Sequence, residues 1–250
     1  MAELRAIPIR GIGEVKLGDS LAEKILAALR RQNCRLSRGD ILVVTHKVVS
    51  KAEGSIVPLV KVRPSAAARR WAGRHGLDPR AVELALSESR RIVRRQRGVL
   101  ITQTRHGLVC ANSGVDLSNV DGGGSAALLP RDPDRSARAL HHLLKRSIGL
   151  SIPVIITDSF GRPWREGLCQ VAVGAAGMNV FRDYRGQRDP YGYRLRVTLE
   201  AVADELASMA GLVCSKLSRT PACIIRGFPY QRGRGCARDL IRPRARDLFR

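Results

Sequence analysis

Residues 39–54 read GDILVVTHKVVSKAEG, and this stretch decides the fold class. Ile41-Leu42-Val43-Val44 is an unbroken apolar run, the pattern of a strand covered on both faces rather than wetted on one. Gly39-Asp40 turns the chain into the run, and Thr45-His46-Lys47 ends it in polar groups. A second stretch is built alike: Pro153 leads into Val154-Ile155-Ile156, which ends in Thr157-Asp158-Ser159-Phe160-Gly161-Arg162. Open α/β sheets place ligands at the carboxyl ends of such strands.

Working outward, Ile7 to Arg10 reads as a short strand ending at Gly11 and Gly13. Ser20 with Glu23 three residues on is a helix-start signature, and Leu21, Ile25 and Leu29 line one helix face. Residues 65–96 are predicted mostly helical, in two pieces divided near Gly76 to Pro79. The second piece has Val82, Leu86 and Val93 inside and five arginines between 90 and 97. Arg105-His106-Gly107 joins Val99 to Thr104 with Leu108 to Ala111 as a hairpin. Residues 116–133 read as loop, 134–147 as helix, and 198–213 as the best helix, with Leu199, Val202, Leu206, Met209 and Val213 at 3/4 spacing. Ala222 to Ile225 is a last strand before a Gly/Arg-rich stretch. The class is α/β or α+β, without internal repeats.

Composition sets outer limits. The chain has 250 residues, 44% hydrophobic, enough for a sizeable core. Charged residues at 26% exclude a disordered polyelectrolyte. Lys plus Arg number 44 against 22 Asp plus Glu, a formal +22, and only 7 of the 44 are Lys. Clustered guanidinium groups bind phosphates, but a codon preference for Arg produces the same excess, so charge alone names no partner. Aromatics at 4% argue against a single-strand binder built on stacking. No apolar run reaches the length of a membrane span, and MAELRAIPIR lacks a signal-peptide core. Six cysteines without CxxC or zinc spacing fit free thiols in a reducing compartment. A soluble, cytoplasmic protein is expected.

Three polar clusters sit at strand ends. Lys47 and Lys51 follow the first buried strand and can reach phosphate oxygens as point charges; a solvated helix face is the plainer reading. Asn112-Ser113-Gly114-Val115-Asp116-Leu117-Ser118-Asn119-Val120 puts a carboxylate among amides and hydroxyls, which suits Mg²⁺ or Mn²⁺, although such residues also simply make turns. Thr157-Asp158-Ser159, followed by Arg162 and Arg165, offers a carboxylate, hydroxyls and phosphate-neutralising cations. No Walker pattern is present, and Gly11-Ile12-Gly13 is too short for a dinucleotide fingerprint. His106 in the hairpin offers a general base, although a turn histidine usually is not one; His141 and His142 sit in a helix without ligand partners at suitable spacing, Trp71 and Trp164 read as packing residues, and Ser159 is not in a GxSxG elbow.

Taken together, IPIRGIGEVKLGDSL, GDILVVTHKVVSKAEG, GLVCANSGVDLSNV, LLPRDPDRSA, VIITDSFGRPWREG and DPYGYRLRVTLEAVADELA resemble, in order, the motifs of the coenzyme F420:γ-glutamyl ligase family, from about residue 7 to 227. The resemblance implies a two-lobed mixed-sheet fold with lobes of about 1–80 plus 195–250 and about 81–194. It also implies a homodimer that uses GTP to join L-glutamate to the deazaflavin precursor F420-0 through an acyl phosphate. Asp116 and Asp158 then resemble the ligands of a first divalent ion, Mg²⁺ or Mn²⁺, and Ser159 a ligand of a second; a K⁺ requirement has no assignable residue. Gly11, Ile12, Gly13, Glu14, His46, Lys47, Lys51 and Asn119 resemble nucleotide contacts, as does Lys216. Cys214-Ser215-Lys216 stands where many relatives carry Met-Gly-Lys or a Gly-Glu pair. Arg162, with Arg165, is a physical candidate for phosphate or substrate carboxylate. The competing readings are a related ligase for another carboxylated or phosphorylated acceptor and a basic nucleic-acid-binding protein.

Overall fold

A computed structural model of the chain describes residues 3–248. In chain order its first half runs β1 (Arg5–Ile9), α1 (Leu21–Arg31), β2 (Ile41–Thr45), α2 (His46–Ala52), β3 (Ile56–Pro58), α3 (Ala66–His75), α4 (Pro79–Ser87), β4 (Ser89–Gln96), β5 (Val99–Thr104) and β6 (Val109–Ala111). The second half runs β7 (Ser125–Ala127), α5 (Pro133–Ile148), β8 (Val154–Arg162), β9 (Arg165–Ala176), β10 (Arg182–Asp183), β11 (Leu199–Glu200), α6 (Val202–Val213) and β12 (Ala222–Arg226).

The two apolar runs meet in parallel, with Leu42 opposite Val154 and Thr45 opposite Thr157. They form the middle of a five-stranded sheet ordered β1-β12-β2-β8-β9, whose other pairings are antiparallel. Leu42, Val44, Val154, Ile156 and Ile224 point into a core shared with α1 and α5. Ile41, Val43, Ile155 and Ile225 point to the opposite face and pack on Val202, Leu206 and Ala210 of α6. Both faces are therefore covered, as the unbroken apolar runs require. Each such side chain contributes about 1.5–3 kcal/mol by leaving water. At the opposite end from the polar clusters, buried Asp40 accepts 2.8 Å bonds from Nε and Nη2 of Arg226, fastening β2 to β12.

A smaller unit of α3, α4 and the sheet β4-β5-β6 has its own core of Ala68, Ala72, Val82, Ala85 and Leu100. Here the helical expectation for 65–96 is corrected. Helix stops at Ser87, and Ser89–Gln96 is a strand paired with β5. Arg97 and Gly98, at φ 49° and 80°, make the two-residue turn whose twist matches an antiparallel hairpin. The strand β4 is a sheet edge and exposes Arg90, Arg94 and Arg95; charged side chains of this kind discourage edge pairing.

Three further expectations change. The strand after Pro153 does not end at Ile156 but runs to Arg162, so Thr157-Asp158-Ser159 lies within a long hairpin arm. Leu199 belongs to β11, and the last helix begins at Val202. Trp71 packs, its ring 4.3 Å from that of His75, whereas Trp164 at the β8–β9 tip is 81% exposed. Strands β8 and β9 share one sheet with β2 and β12. No helix among the described residues is long and apolar enough to cross a membrane, and all six cysteines are free.

The backbone of β9 lies directly against the start of α5: a Cβ on Gly174 would stand 2.4 Å from the Pro133 carbonyl oxygen. Neither partner is a flexible side-chain end, so Gly174→Ala must displace backbone. Denaturant unfolding should show a loss of about 1–3 kcal/mol, and calorimetry a Tm lower by about 2–10 °C.

Candidate functional site

Beyond Thr45 the chain leaves the sheet as α2 while β8 continues, and a cavity of about 760 Å³ opens beside this step. That volume lies within the range of small-molecule sites. Its walls come from residues 10–14, the start of α2, the loop 116–122, β8 at 157–159, and the segment 214–221.

The acidic groups are fixed from behind. Asn112, Ser113 and Gly114 all take positive φ (49°, 56° and 71°). Buried Ser113 fastens this turn to the small unit: its N–H donates to Thr102 Oγ1 at 2.9 Å and its hydroxyl to the Ala85 carbonyl at 2.6 Å. Asp116 follows, its backbone bridged in both directions to Ala127 at 2.8 and 3.0 Å. Asp158, 8% exposed, accepts from its neighbour's Ser159 N–H at 2.7 Å.

Buried His46 opens α2 and faces Asp158. The Ser50 hydroxyl donates to the Leu128 carbonyl at 2.6 Å, which leaves its oxygen to accept from His46 Nδ1 at 3.4 Å. His46 Nε2 lies 3.3 Å from Asp158 Oδ1 without hydrogen-bond alignment.

Two ammonium groups join the loops across the cavity. Lys47 Nζ reaches Asp116 Oδ2 at 2.7 Å and both the carbonyl and hydroxyl of Ser118 at 2.9 Å. Lys51 Nζ reaches Glu14 Oε1 at 2.5 Å. Asn119 Nδ2 donates to the Lys216 carbonyl at 3.1 Å, tying the acidic loop to the segment after α6. Gly11 and Gly13 line the cavity in left-handed conformations, φ 73° and 77°, while Ile12 between them turns into the core.

Most of the residues singled out in the sequence thus meet around one cavity: Gly11, Gly13, Glu14, His46, Lys47, Lys51, Asp116, Asn119, Asp158, Ser159 and Lys216. Ile12 is buried behind it. Arg162 and Arg165 are not brought there: they flank the hairpin tip, where Arg162 donates to the Glu166 carbonyl. His106 bonds the carbonyls of Pro130 and Arg131 at 3.0 and 3.2 Å, and burial lowers its basicity, so it serves as a clasp. Sequence reasoning missed Arg10, Gln170 and Arg219, which also line the cavity. Gln170 becomes visible only through its register opposite Ser159.

Beside β8 the oxygen donors are the carboxylates of Asp116 and Asp158 with the hydroxyls of Thr157 and Ser159, while Glu14 and Asp121 also line the cavity. Among the described residues no three His, Cys, Asp or Glu side chains cluster as a complete cage. Hard oxygen donors in small number fit Mg²⁺ or Mn²⁺ that draw their remaining ligands from substrate phosphates.

Burial opposes ionisation of Asp116, but Lys47 and Ser118 overcome it and hold its pKa below the usual carboxylate value. A depressed folded pKa contributes stability that is present above the unfolded pKa and lost as pH falls through the folded one. In metal-free Lys47→Met, burial acts with less opposition. Carboxyl NMR titration should therefore show Asp116 below 3.8 in the parent chain and shifted upward in the variant; an unmoved titration would contradict this electrostatic account.

Residues 11–227 match the family described as F420-0:Gamma-glutamyl ligase. The coenzyme F420:L-glutamate ligase of Methanothermobacter thermautotrophicus is 46% identical over 247 residues, covering 98% of each chain. That of Methanopyrus kandleri is 45% identical, covering 99% of this chain and 98% of the relative. That of Methanocaldococcus jannaschii is 42% identical over 85% of each.

Proposed function

The chain belongs to the F420-0:γ-glutamyl ligase family, and from that premise we propose that its cavity joins L-glutamate to F420-0 at the expense of GTP. The single observation that carries the reading is the convergence of Lys47, Lys51, Asp116 and Asp158 on one cavity at the end of the parallel strand pair. Two ammonium groups suit the phosphates of a nucleotide, and two carboxylates suit the cations that accompany them.

Amide formation needs a carboxylate turned into something with a leaving group. The γ-phosphoryl group passes from GTP to a carboxylate oxygen of F420-0, releasing GDP and leaving an acyl phosphate. The uncharged amine of glutamate attacks the acyl carbon, the C–N bond forms, the C–O bond to phosphate breaks, and the nitrogen loses its extra proton. Phosphoryl transfer of this kind depends on alignment and charge neutralisation, so no covalent protein nucleophile is required. Lys47 and Lys51 neutralise phosphate oxygens, exchanging Asp116 and Glu14 for them when the nucleotide enters. Asp116 and Asp158 would hold a first divalent ion and Ser159 would contribute to a second, and such ions would screen the negative charges of the reacting groups. Asn119 and Lys216 close the nucleotide side, with Gly11 and Gly13 admitting the phosphates close to backbone. His46 stands beside Asp158 at the head of α2. The working unit is a cytoplasmic homodimer.

Mass spectrometry of a reaction with GTP, Mn²⁺ or Mg²⁺, L-glutamate and F420-0 should show product heavier by one or more glutamyl units. Product should require GTP and be lost in Asp158→Ala. GTP binding without product would point instead to another carboxylated or phosphorylated acceptor. Light scattering should give twice the 27.4 kDa chain mass.

A further inference from the structure

Gln170 lies on β9 directly opposite Ser159 of β8, and both line the cavity. Its Nε2 donates to Ser159 Oγ at 2.5 Å. Behind it stands α6. A Cβ on Gly211 would lie 2.6 Å from Gln170 Cγ and 3.3 Å from its Cβ, so the amide side chain occupies the space that glycine leaves. The helix is fastened to the same strand about one and two turns before this contact: Ser208 donates to the Gln170 carbonyl at 2.9 Å, and Asp204 accepts from Ala172 N–H at 2.8 Å.

A serine hydroxyl has one proton and two lone pairs and rotates among three staggered positions. Left alone beside a cavity it would divide its time among them. Once one lone pair receives the Gln170 amide, the proton and the other lone pair are turned away from α6, towards the open side. We infer that Gln170 is a positioning residue that aims the Ser159 hydroxyl into the cavity, with Gly211 as the space that lets it do so. This inference rests on the reading of Ser159 as a group that meets the metal-bound nucleotide. It gives α6, which supplies no titrating group to the cavity, a part in the chemistry.

The test uses the full chain and three readouts: Mn²⁺ affinity in the presence of GTP, by electron paramagnetic resonance of free Mn²⁺; kcat and KM for GTP; and thermal melting. Gln170→Met keeps the length and removes the donor. It should melt as the parent does, weaken Mn²⁺ binding and lower kcat by roughly three- to tenfold, the change expected for one lost hydrogen bond, and leave KM for GTP nearly unchanged. In a Ser159→Ala background the same substitution should add no further loss, because the group it aims is gone. Gly211→Ala should reproduce the Gln170→Ala defect, and the double variant should be no worse than either, since alanine at 170 removes the obstructed Cγ. Parent-like Mn²⁺ affinity and turnover in Gln170→Met would overturn the inference, as would additive losses with Ser159→Ala. Should the parent bind Mn²⁺ and GTP yet fail to extend F420-0, the acceptor assignment falls while the Mn²⁺ measurement still judges Gln170.

Discussion

The parallel pairing of β2 with β8 is the constraint on which the remaining architecture depends. Two strands buried on both faces cannot carry polar side chains along their length, because unpaired groups there would cost several kcal/mol each. Polar residues are pushed to the ends of the pair. At one end Asp40 is matched by Arg226. At the other, Thr45 is the last residue of β2, and its opposite number Thr157 is followed by Asp158 on a strand that continues. The unequal lengths of two neighbouring strands make the step in which the cavity lies.

That step would be an open notch without the loops around it, and these come from distant parts of the chain. Residues 10–14, 116–122 and 214–221 share no strand with one another, yet Lys51 joins the first to α2, Lys47 joins α2 to the second, and Asn119 joins the second to the third. In a chain with 37 arginines and 7 lysines, three of the lysines line this cavity. A compact ammonium on a flexible stem can exchange one oxygen partner for another more readily than a planar guanidinium fork. The cavity thus draws heavily on a residue type that is scarce in this chain, alongside Arg10 and Arg219.

Much of this was legible in the sequence because it depended on local pattern. Unbroken apolar runs gave the doubly covered sheet, Ser20 gave the start of α1, and the motif order gave the residues that gather at the cavity. The failures have a common cause in strand geometry. Residues 89–96 carry Ile92 and Val93 among arginines, a composition compatible with helix, and only the turn at Arg97-Gly98 betrays the hairpin. Arg162 looked close to Asp158 because four residues in a loop span little distance. In an extended strand four residues cover about 13 Å, which carries Arg162 to the hairpin tip. Gln170 was invisible for the converse reason: it is eleven positions from Ser159 along the chain, and antiparallel register alone makes them neighbours.

Asp158 and Ser159 are consecutive in an extended strand and so leave the sheet on opposite sides. Asp158 meets His46 on the α2 side, and Ser159 meets Gln170 on the α6 side. The irregularity between Ile156 and Thr157 in the pairing with β9 is absorbed by the partner strand, where Gly174 faces Ile156 and Ala172 faces Thr157. The count of residues from Val154 to Ser159 is consequently fixed more tightly than their identities. Inserting one residue ahead of Thr157 would exchange the two sides, presenting a hydroxyl to the imidazole and a carboxylate to the amide. Replacing a residue in this strand preserves that alternation, whereas a change of length preserves it only at the far tip of the hairpin.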